Sequence, residues 1–408
     1  MSNKINNNNQ IYFLLFIIFF SVVGTSMPYA IFAPLFINDH NLFTYSSQEM
    51  LNIGLGFTLA AYPLGQFIGA PIIGRFSDRY GRKQVLIKTL IFSAIGYFLS
   101  FIAIANANVI LLILTRFITG AFEANYVVAQ AFIVDITENK QKDLGKLSAT
   151  ASLAYVLGPI IGALLCNDHI VYWFNYATPF IFAAFVSIIL MLLVKFKLSE
   201  NTQKITSKKI SLLQEFRIIN NMSKVVNDNS IKILLFTSTF LSLSILTYYE
   251  FYPVILANNW KMNAMTIAIL TAVYSISLSI SVLYLPSFLS KRFSLKKSLY
   301  LMLSIMIIGY FLLISNNLYL VILQFALLGL AFGTANNLQL VMLSDIAPDD
   351  KQGEILGLRA SLSMLGNAIV CVFGGFIIIF SVDFTALISV FFILLTIIGI
   401  IFLTEKRS

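Results

Sequence analysis

Charged residues are scarce in this sequence: Asp, Glu, Lys and Arg together make up 11% of its 408 residues. Soluble domains carry roughly 25% charged residues, so this scarcity excludes an ordinary soluble protein. Histidine and cysteine are scarcer still, with two of each. Cys166 and Cys371 fall in apolar segments, and His40 and His169 fall in short loops. We therefore expect two buried free thiols, two surface imidazoles, and neither a metal site nor another cofactor.

Motifs typical of enzymes and nucleotide-driven pumps are missing as well. The sequence contains no phosphate-binding Walker loop, so ATP-driven pumping is not expected. No arrangement of residues suggests a nucleophile with its activating base, and we do not expect an enzyme.

Long apolar segments account for most of the chain. Apolar residues make up 58% of it, and the mean hydropathy is +0.86. A run of about 18 or more apolar residues can cross a bilayer as a helix, so the sequence predicts an all-α membrane protein with twelve spans. Residues 1–10 are polar, and we expect them to be disordered. The predicted spans are 11–36, 52–74, 84–105, 108–131, 148–167, 174–195, 231–256, 264–289, 297–315, 318–343, 355–380 and 384–403.

The basic residues are segregated along the chain. The formal net charge is +9, but nearly all of the 27 Lys and Arg residues fall in or beside the N-terminus, the loops after even-numbered spans, or the C-terminus. Arg116 and Lys261 are the exceptions. This positive-inside pattern predicts that both termini are cytoplasmic. The basic charge then faces an anionic lipid leaflet, and we do not expect a nucleic-acid partner.

The densest run of charge lies between predicted spans two and three. This signature loop, Gly74–Lys83, reads G-R-F-S-D-R-Y-G-R-K, with Asp78 placed to pair with arginines. It resembles the loop signature of the major facilitator superfamily, whose glycine spacing and order of charges it shares. The resemblance implies twelve helices in two pseudo-symmetric six-helix bundles. The matching residues are Gly74, Asp78, Arg79, Gly81, Arg82 and Lys83.

An internal repeat supports two halves. Ile72–Leu86 aligns with Leu285–Leu299, and Lys291 then stands where the first copy has Asp78. Parallel repeats of six spans are the architecture of the superfamily that the chain resembles. We therefore predict an N-terminal bundle, a polar cytoplasmic linker and a C-terminal bundle, at 1–195, 196–230 and 231–408.

The predicted fifth span resembles the signature of the superfamily's proton-coupled exporters. Small residues four apart would let helices pack closely, and a proline would bend the span. A second stretch, Lys351–Gly357, is similar to the tetracycline-efflux type of this subgroup. The residues of the fifth-span signature are Gly145, Ala154, Gly158, Pro159 and Gly162.

Two charged residues fall inside the predicted fourth span. Arg116 resembles a buried arginine that the family associates with proton transfer, and Glu123 follows two helical turns later on nearly the same face. Low dielectric disfavours an ionised carboxyl group, whereas a nearby guanidinium favours it. Glu123 is therefore predicted to carry protons and Arg116 to regulate it. A purely structural ion pair is the alternative interpretation.

Further polar and aromatic residues lie on predicted spans four, seven and ten. In the architecture that the chain resembles, these spans line the central cavity together with span one, where Pro28 and Pro34 bracket a possible kink. The tyrosines beside Glu250 suit either an interfacial belt or the wall of an amphipathic pocket. The predicted cavity residues are Asn125, Tyr126, Tyr248, Tyr249, Glu250, Asn336 and Asn337.

The resemblance also implies a gate at the signature loop. Asp135, which closes predicted span four, would pair with Arg82, and Arg359 in span eleven could join the same network. Such pairs would bias one of two states of the transporter.

These observations predict a secondary transporter that works by alternating access. The resemblance implies a proton-coupled antiporter that exports an amphipathic small molecule, such as a drug-like compound or a siderophore. An importer of a nutrient, amino acid or iron chelate remains an alternative, as does a non-transporting receptor or scaffold. We expect a monomer in a bacterial inner membrane, with a small-molecule substrate, protons and the lipid bilayer as its partners.

Overall fold

A computed structural model describes residues 2–37, 47–199, 229–346, 348 and 352–403. Within these ranges every regular element is a helix. His40, Lys351 and most of the predicted linker lie outside the described residues. The chain thus forms an all-α protein, as the sequence predicts.

Within the described ranges, twelve helical segments are long and apolar enough to cross a membrane, which confirms the predicted number of spans. The first helix begins at Ser2, so the expectation that residues 1–10 are disordered is wrong. Asn7 Nδ2 donates a hydrogen bond to the carbonyl of Ile136, which ties this polar segment to the end of the fourth span. The helices are α1 Ser2–Ser26, α2 Phe32–Ile37, α3 Gln48–Tyr80, α4 Arg82–Ala105, α5 Val109–Phe122, α6 Asn125–Ile136, α7 Lys140–Leu165, α8 Thr178–Lys197, α9 Asn229–Trp260, α10 Ala264–Ser290, α11 Leu295–Leu313, α12 Leu318–Ile346, α13 Gln352–Phe380 and α14 Phe384–Ile401.

Two of the spans are broken helices. The first changes to a 3-10 helix at Met27–Ala30, with Pro28 near its start, before α2 begins, as the paired prolines predicted. The fourth span was predicted to be continuous, but it breaks at Glu123–Ala124 between α5 and α6. Glu123, Ala124 and Asn125 are all buried. Broken backbone at membrane depth is tolerated where protein surrounds it.

The described residues fall into two compact units. The first unit comprises the described residues within Met1–Lys209 and Met262–Ile269. The second unit comprises the described residues within Ile210–Lys261 and Leu270–Ser408. The first unit therefore includes a short segment that the sequence assigned to the C-terminal bundle.

Close contact between α3 and α5 organises the first unit. A Cβ atom on Gly65 would lie 2.3 Å from the carbonyl oxygen of Phe117, and one on Gly120 would lie 2.1 Å from that of Tyr62. Only glycine fits such a backbone approach. This seam brings the middle of α3 against the residues around the break in the fourth span.

Candidate functional site: a buried carboxylate at a helix break

Glu123 ends α5 at the break of the fourth span. Its backbone N–H still bonds the carbonyl of Thr119 at 2.8 Å, but its φ and ψ of −86° and 68° leave the helical region. The residue is 5% exposed. The break therefore turns a carboxyl side chain into the interior of the first unit.

Three hydroxyl groups surround this carboxyl group. Tyr97 Oη on α4 lies 2.8 Å from both carboxyl oxygens. Tyr62 Oη on α3 donates to Oε2 at 3.2 Å, and Thr25 Oγ1 on α1 donates to Oε1 at 3.2 Å. The sequence analysis did not identify Thr25, Tyr62 and Tyr97. Hydroxyl side chains at membrane depth on three different spans were the available signal.

The hydroxyl groups suit either protonation state of Glu123. A hydroxyl can donate to an ionised carboxylate, and it can also accept the proton of a neutral carboxylic acid. Burial penalises the ionised form, whereas the hydroxyl donors favour it. The arrangement can therefore bind and release a proton without leaving a polar group unpaired.

Arg116 and Glu123 form no direct ion pair within the part of the chain that the structure describes. The guanidinium carbon of Arg116 lies 4.6 Å above the ring centre of Tyr62 and 5.4 Å above that of Phe32. The residue is 5% exposed, and its Nε and Nη1 have no hydrogen-bond partner among the described residues. Aromatic faces thus replace a carboxylate as the immediate surroundings of this cation.

Asn125 and Tyr126 follow the break at the start of α6. Asn125 Nδ2 donates to Ser21 Oγ at 2.9 Å and to Ser93 Oγ at 3.2 Å. Asn125 is 1% exposed, so it serves the packing of α1, α4 and α6 in this conformation, whereas Tyr126 is half-buried.

The second unit contains another buried carboxyl group. Glu250 is 6% exposed and accepts a hydrogen bond from Asn367 Nδ2 on α13 at 3.2 Å. Asn367 Oδ1 faces the sulfur of Cys371 at 3.7 Å. A carboxamide and a thiol on α13 therefore accompany Glu250.

Tyr248, a predicted cavity residue, is buried within the second unit. It is 2% exposed, and its hydroxyl donates to Gln324 Oε1 at 3.1 Å. Its ring stacks 5.1 Å from that of Tyr252 inside an aromatic core. The neighbouring rings bury its apolar faces, and the bond to Gln324 satisfies its hydroxyl. Tyr249 beside it is half-buried. The other rings around Tyr248 belong to Tyr274, Tyr310, Phe325 and Phe332.

Two residues assigned separate roles from the sequence meet in the second unit. Arg359 Nη2 on α13 donates to Asn336 Oδ1 on α12 at 2.5 Å. Asn336 is exposed and Asn337 is half-buried. The predicted gating arginine is therefore in contact with a predicted cavity residue.

The signature loop is a tight turn between α3 and α4. Gly81 has a φ of 94°, which residues other than glycine rarely adopt. Arg82 bonds Asp78 at 2.5 Å and Asp135 at 2.8 Å, the second being the pair that the resemblance implied. Arg79 instead lies over the ring of Tyr80 at 5.3 Å, and Lys83 is half-buried. Gly74 has more room, because a Cβ there would lie 3.8 Å from Val127.

The fifth-span signature packs α7 against the first span, with one exception. A Cβ atom on Gly158 would lie 1.9 Å from Ser26 Oγ, and one on Gly162 would lie 2.7 Å from the carbonyl of Met27. Ala154 accepts a hydrogen bond from Ser26, and Pro159 lies within the helix. Gly145 has nothing within 4 Å of such an atom. Close packing therefore explains Gly158 and Gly162 but not Gly145.

The cysteines and the described histidine have different surroundings. Both cysteines are free, and Cys371 is buried as expected. Cys166 is half-buried because it ends α7 at a loop, so the prediction that it is buried is wrong. His169 is exposed.

Comparison with known proteins gives consistent results. The family model described as "Major Facilitator Superfamily" matches residues 14–254 and 233–408. Tetracycline resistance protein, class C, of Escherichia coli is 26% identical over 314 residues, which cover 76% of each chain. Multidrug resistance protein 1 of Bacillus subtilis (strain 168) is 34% identical over 140 residues, 33% of this chain and 35% of the relative.

Solved structures with a similar fold include transporters of different kinds. The nucleoside transporter NupG has a TM-score of 0.75 at 12% identity, covering 98% of this chain and 100% of its own. A D-xylose-proton symporter has a TM-score of 0.70 at 16% identity, covering 98% of each chain. At such identities the similarity shows the fold alone.

Proposed function

The chain belongs to the major facilitator superfamily and is an integral membrane transporter, not an enzyme, and we propose that it is a proton-coupled antiporter. In this proposal, inward proton movement drives the export of an amphipathic small molecule by alternating access. The observation that carries the proposal is Glu123, a buried carboxyl group at a helix break with three hydroxyl partners.

Relatives and packing support export rather than import. The relatives at 26% and 34% identity bear the names of tetracycline and multidrug resistance proteins. The fifth-span residues Gly158 and Gly162 pack against the first span beside its break, as expected for the exporter signature. A symporter is among the similar structures, but it shares the fold alone.

Residues of the second unit support the proposal that the substrate is amphipathic and positively charged. Glu250 provides a buried carboxyl group, and the half-buried ring of Tyr249 lies beside it in sequence. Carboxylates and aromatic faces both attract cations. Asn336 and Asn337 add amide groups that can bond the polar part of a substrate.

We further propose that the signature loop is cytoplasmic and acts as a gate in a bacterial inner membrane. Arg82 bridges Asp78 and Asp135 within the first unit, and breaking this bridge would be one step of a conformational change. A cysteine label at Tyr80 should react only after permeabilisation, whereas one at Asp168 should react from outside. The opposite labelling would reverse the proposed direction of transport.

A counterflow screen in proteoliposomes with an imposed pH gradient tests the function directly. Candidate amphipathic cations, zwitterions and neutral nutrients would be compared with the gradient in either direction. Cation accumulation driven by counter-moving protons supports the proposal. Accumulation together with protons would establish an importer, and no flux for any compound would favour a receptor.

A further inference from the structure

We propose that Tyr62 is a positioning residue that couples Arg116 to Glu123. Its ring holds the guanidinium and its hydroxyl holds the carboxyl group, so the two charges communicate through one side chain. This inference rests on the proposed role of Glu123 as the proton carrier.

The contacts of Tyr62 place it between the two charges. The guanidinium carbon of Arg116 lies 4.6 Å above its ring, and its hydroxyl donates to Glu123 Oε2 at 3.2 Å. Gln66 Nε2, one turn later on α3, donates to the same hydroxyl at 3.2 Å. Since Gln66 occupies an acceptor position, the hydroxyl proton is directed to Glu123.

The backbone holds Tyr62 in this position. Gly120 lies one turn after Arg116 and about one turn before Glu123, and a Cβ on it would lie 2.1 Å from the carbonyl oxygen of Tyr62. The residue between the two charges on α5 is therefore pressed against the backbone of Tyr62 itself. The tyrosine cannot move away from α5 unless this helix seam opens.

The state of Arg116 indicates why an intermediary is needed. Its Nε and Nη1 are buried without hydrogen-bond partners among the described residues. A buried cation lacking a carboxylate partner is costly, and the aromatic face of Tyr62 offsets part of this cost. When Glu123 is ionised, its charge and its bond to Tyr62 stabilise this arrangement. When Glu123 binds a proton, both contributions weaken.

The same chain of contacts reaches a second helix break. The guanidinium carbon of Arg116 also lies 5.4 Å from the ring centre of Phe32, the first residue of α2. Phe32 directly follows the 3-10 turn that interrupts the first span. Protonation of Glu123 would thus alter contacts at both broken spans, through Tyr62 and Arg116.

The groups that surround Glu123 influence the pH at which it binds a proton. They are Thr25 from α1, Tyr62 from α3, Tyr97 from α4 and Arg116 from α5. Tyr97 is the matched control for Tyr62, because it also bonds Glu123 through a hydroxyl but makes no described ring contact with Arg116.

The test is a pair of double-mutant cycles in proteoliposomes. Tyr62→Phe and Tyr97→Phe each remove one hydroxyl from Glu123 and leave a ring of the same shape. Arg116→Lys is added to each, and the pH at half-maximal substrate exchange and the uphill accumulation are measured. We expect both Phe variants to shift the pH midpoint upward, because ionised Glu123 loses a donor in each.

The expected difference lies in the coupling with Arg116. In the Tyr62→Phe background, Arg116→Lys should change uphill accumulation at least about threefold less than it does in the wild type. In the Tyr97→Phe background, Arg116→Lys should change accumulation as much as it does in the wild type. Equal coupling of Arg116 to the two tyrosines, or additive effects in both double mutants, would overturn the role of Tyr62. If Glu123→Gln retained uphill transport, the proposed role of Glu123 as the proton carrier, on which this inference rests, would fail, whatever the cycles show.

Discussion

The two units each bury a carboxyl group, yet they surround it differently. Glu123 in the first unit is met by hydroxyl groups of Thr25, Tyr62 and Tyr97, with a cation nearby. Glu250 in the second unit receives an N–H from Asn367. A hydroxyl group can donate to a carboxylate or accept from a carboxylic acid, whereas an amide N–H can only donate. The described contacts therefore place hydroxyl groups around Glu123 and a carboxamide beside Glu250.

The aromatic residues of the two units also have different surroundings. In the first unit, Tyr62 and Phe32 present their faces to a guanidinium. In the second, Tyr248, Tyr252 and Phe325 pack their rings on one another at 5.1–6.3 Å. The first set stabilises a charge, while the second forms an apolar core that supports the helices carrying Glu250.

Replacing the carboxyl group of the first unit should have the largest effect. Glu123→Gln keeps size and hydrogen bonding but cannot titrate, so uphill transport driven by a pH gradient should fall to the passive level. Substrate binding and exchange should persist. Accumulation and exchange are measured in the same vesicles, and accumulation at the wild-type level would assign the proton to another residue.

The helix seam that positions the first site is the next most sensitive feature. Gly120→Ala places a methyl group 2.1 Å from the carbonyl of Tyr62, and should lower the free energy of unfolding by about 1–3 kcal/mol and impair transport. Gly145→Ala is the control, since nothing lies within 4 Å of the added atom. Thermal unfolding in detergent compares the two, and equal midpoints would contradict the importance of this seam.

The carboxyl group of the second unit should affect affinity more than coupling. Glu250→Gln should weaken the binding of a cationic substrate roughly tenfold, the equivalent of about 1.4 kcal/mol, while protons still drive accumulation at saturating substrate. Binding is measured by titration and coupling by uphill accumulation. Loss of coupling with unchanged affinity would reverse the roles assigned to the two units.

The smallest effect is expected at the signature loop. Asp78→Asn should slow transport by up to about fivefold without loss of the protein from the membrane, because Asp78 is partly exposed and such pairs contribute about 1 kcal/mol or less. In the repeat, Lys291→Asn alters the corresponding position of the second unit and should change the rate little. Initial rates in vesicles decide between them, and equal slowing would mean that the two copies are equivalent.

Much of the architecture could be predicted from the sequence because it depends on local composition. The span count follows from hydrophobic length, and the turn at Gly81 follows from glycine placed among charges. The break in the fourth span was missed, because no proline or glycine occupies Glu123–Ala124. At this break, Glu123 and Asn125 form hydrogen bonds with side chains of other helices.

The sequence by itself determined that this chain spans a membrane twelve times, that it carries the signature loop, and that Arg116 and Glu123 lie deep in one span. Only the tertiary structure decided which groups meet Glu123. Tyr97, Tyr62 and Thr25 are 26, 61 and 98 residues away along the chain, and glycines on α3 and α5 bring the two backbones into contact. Hydrogen bonding depends on distance in space, and the packing of separate helices sets that distance.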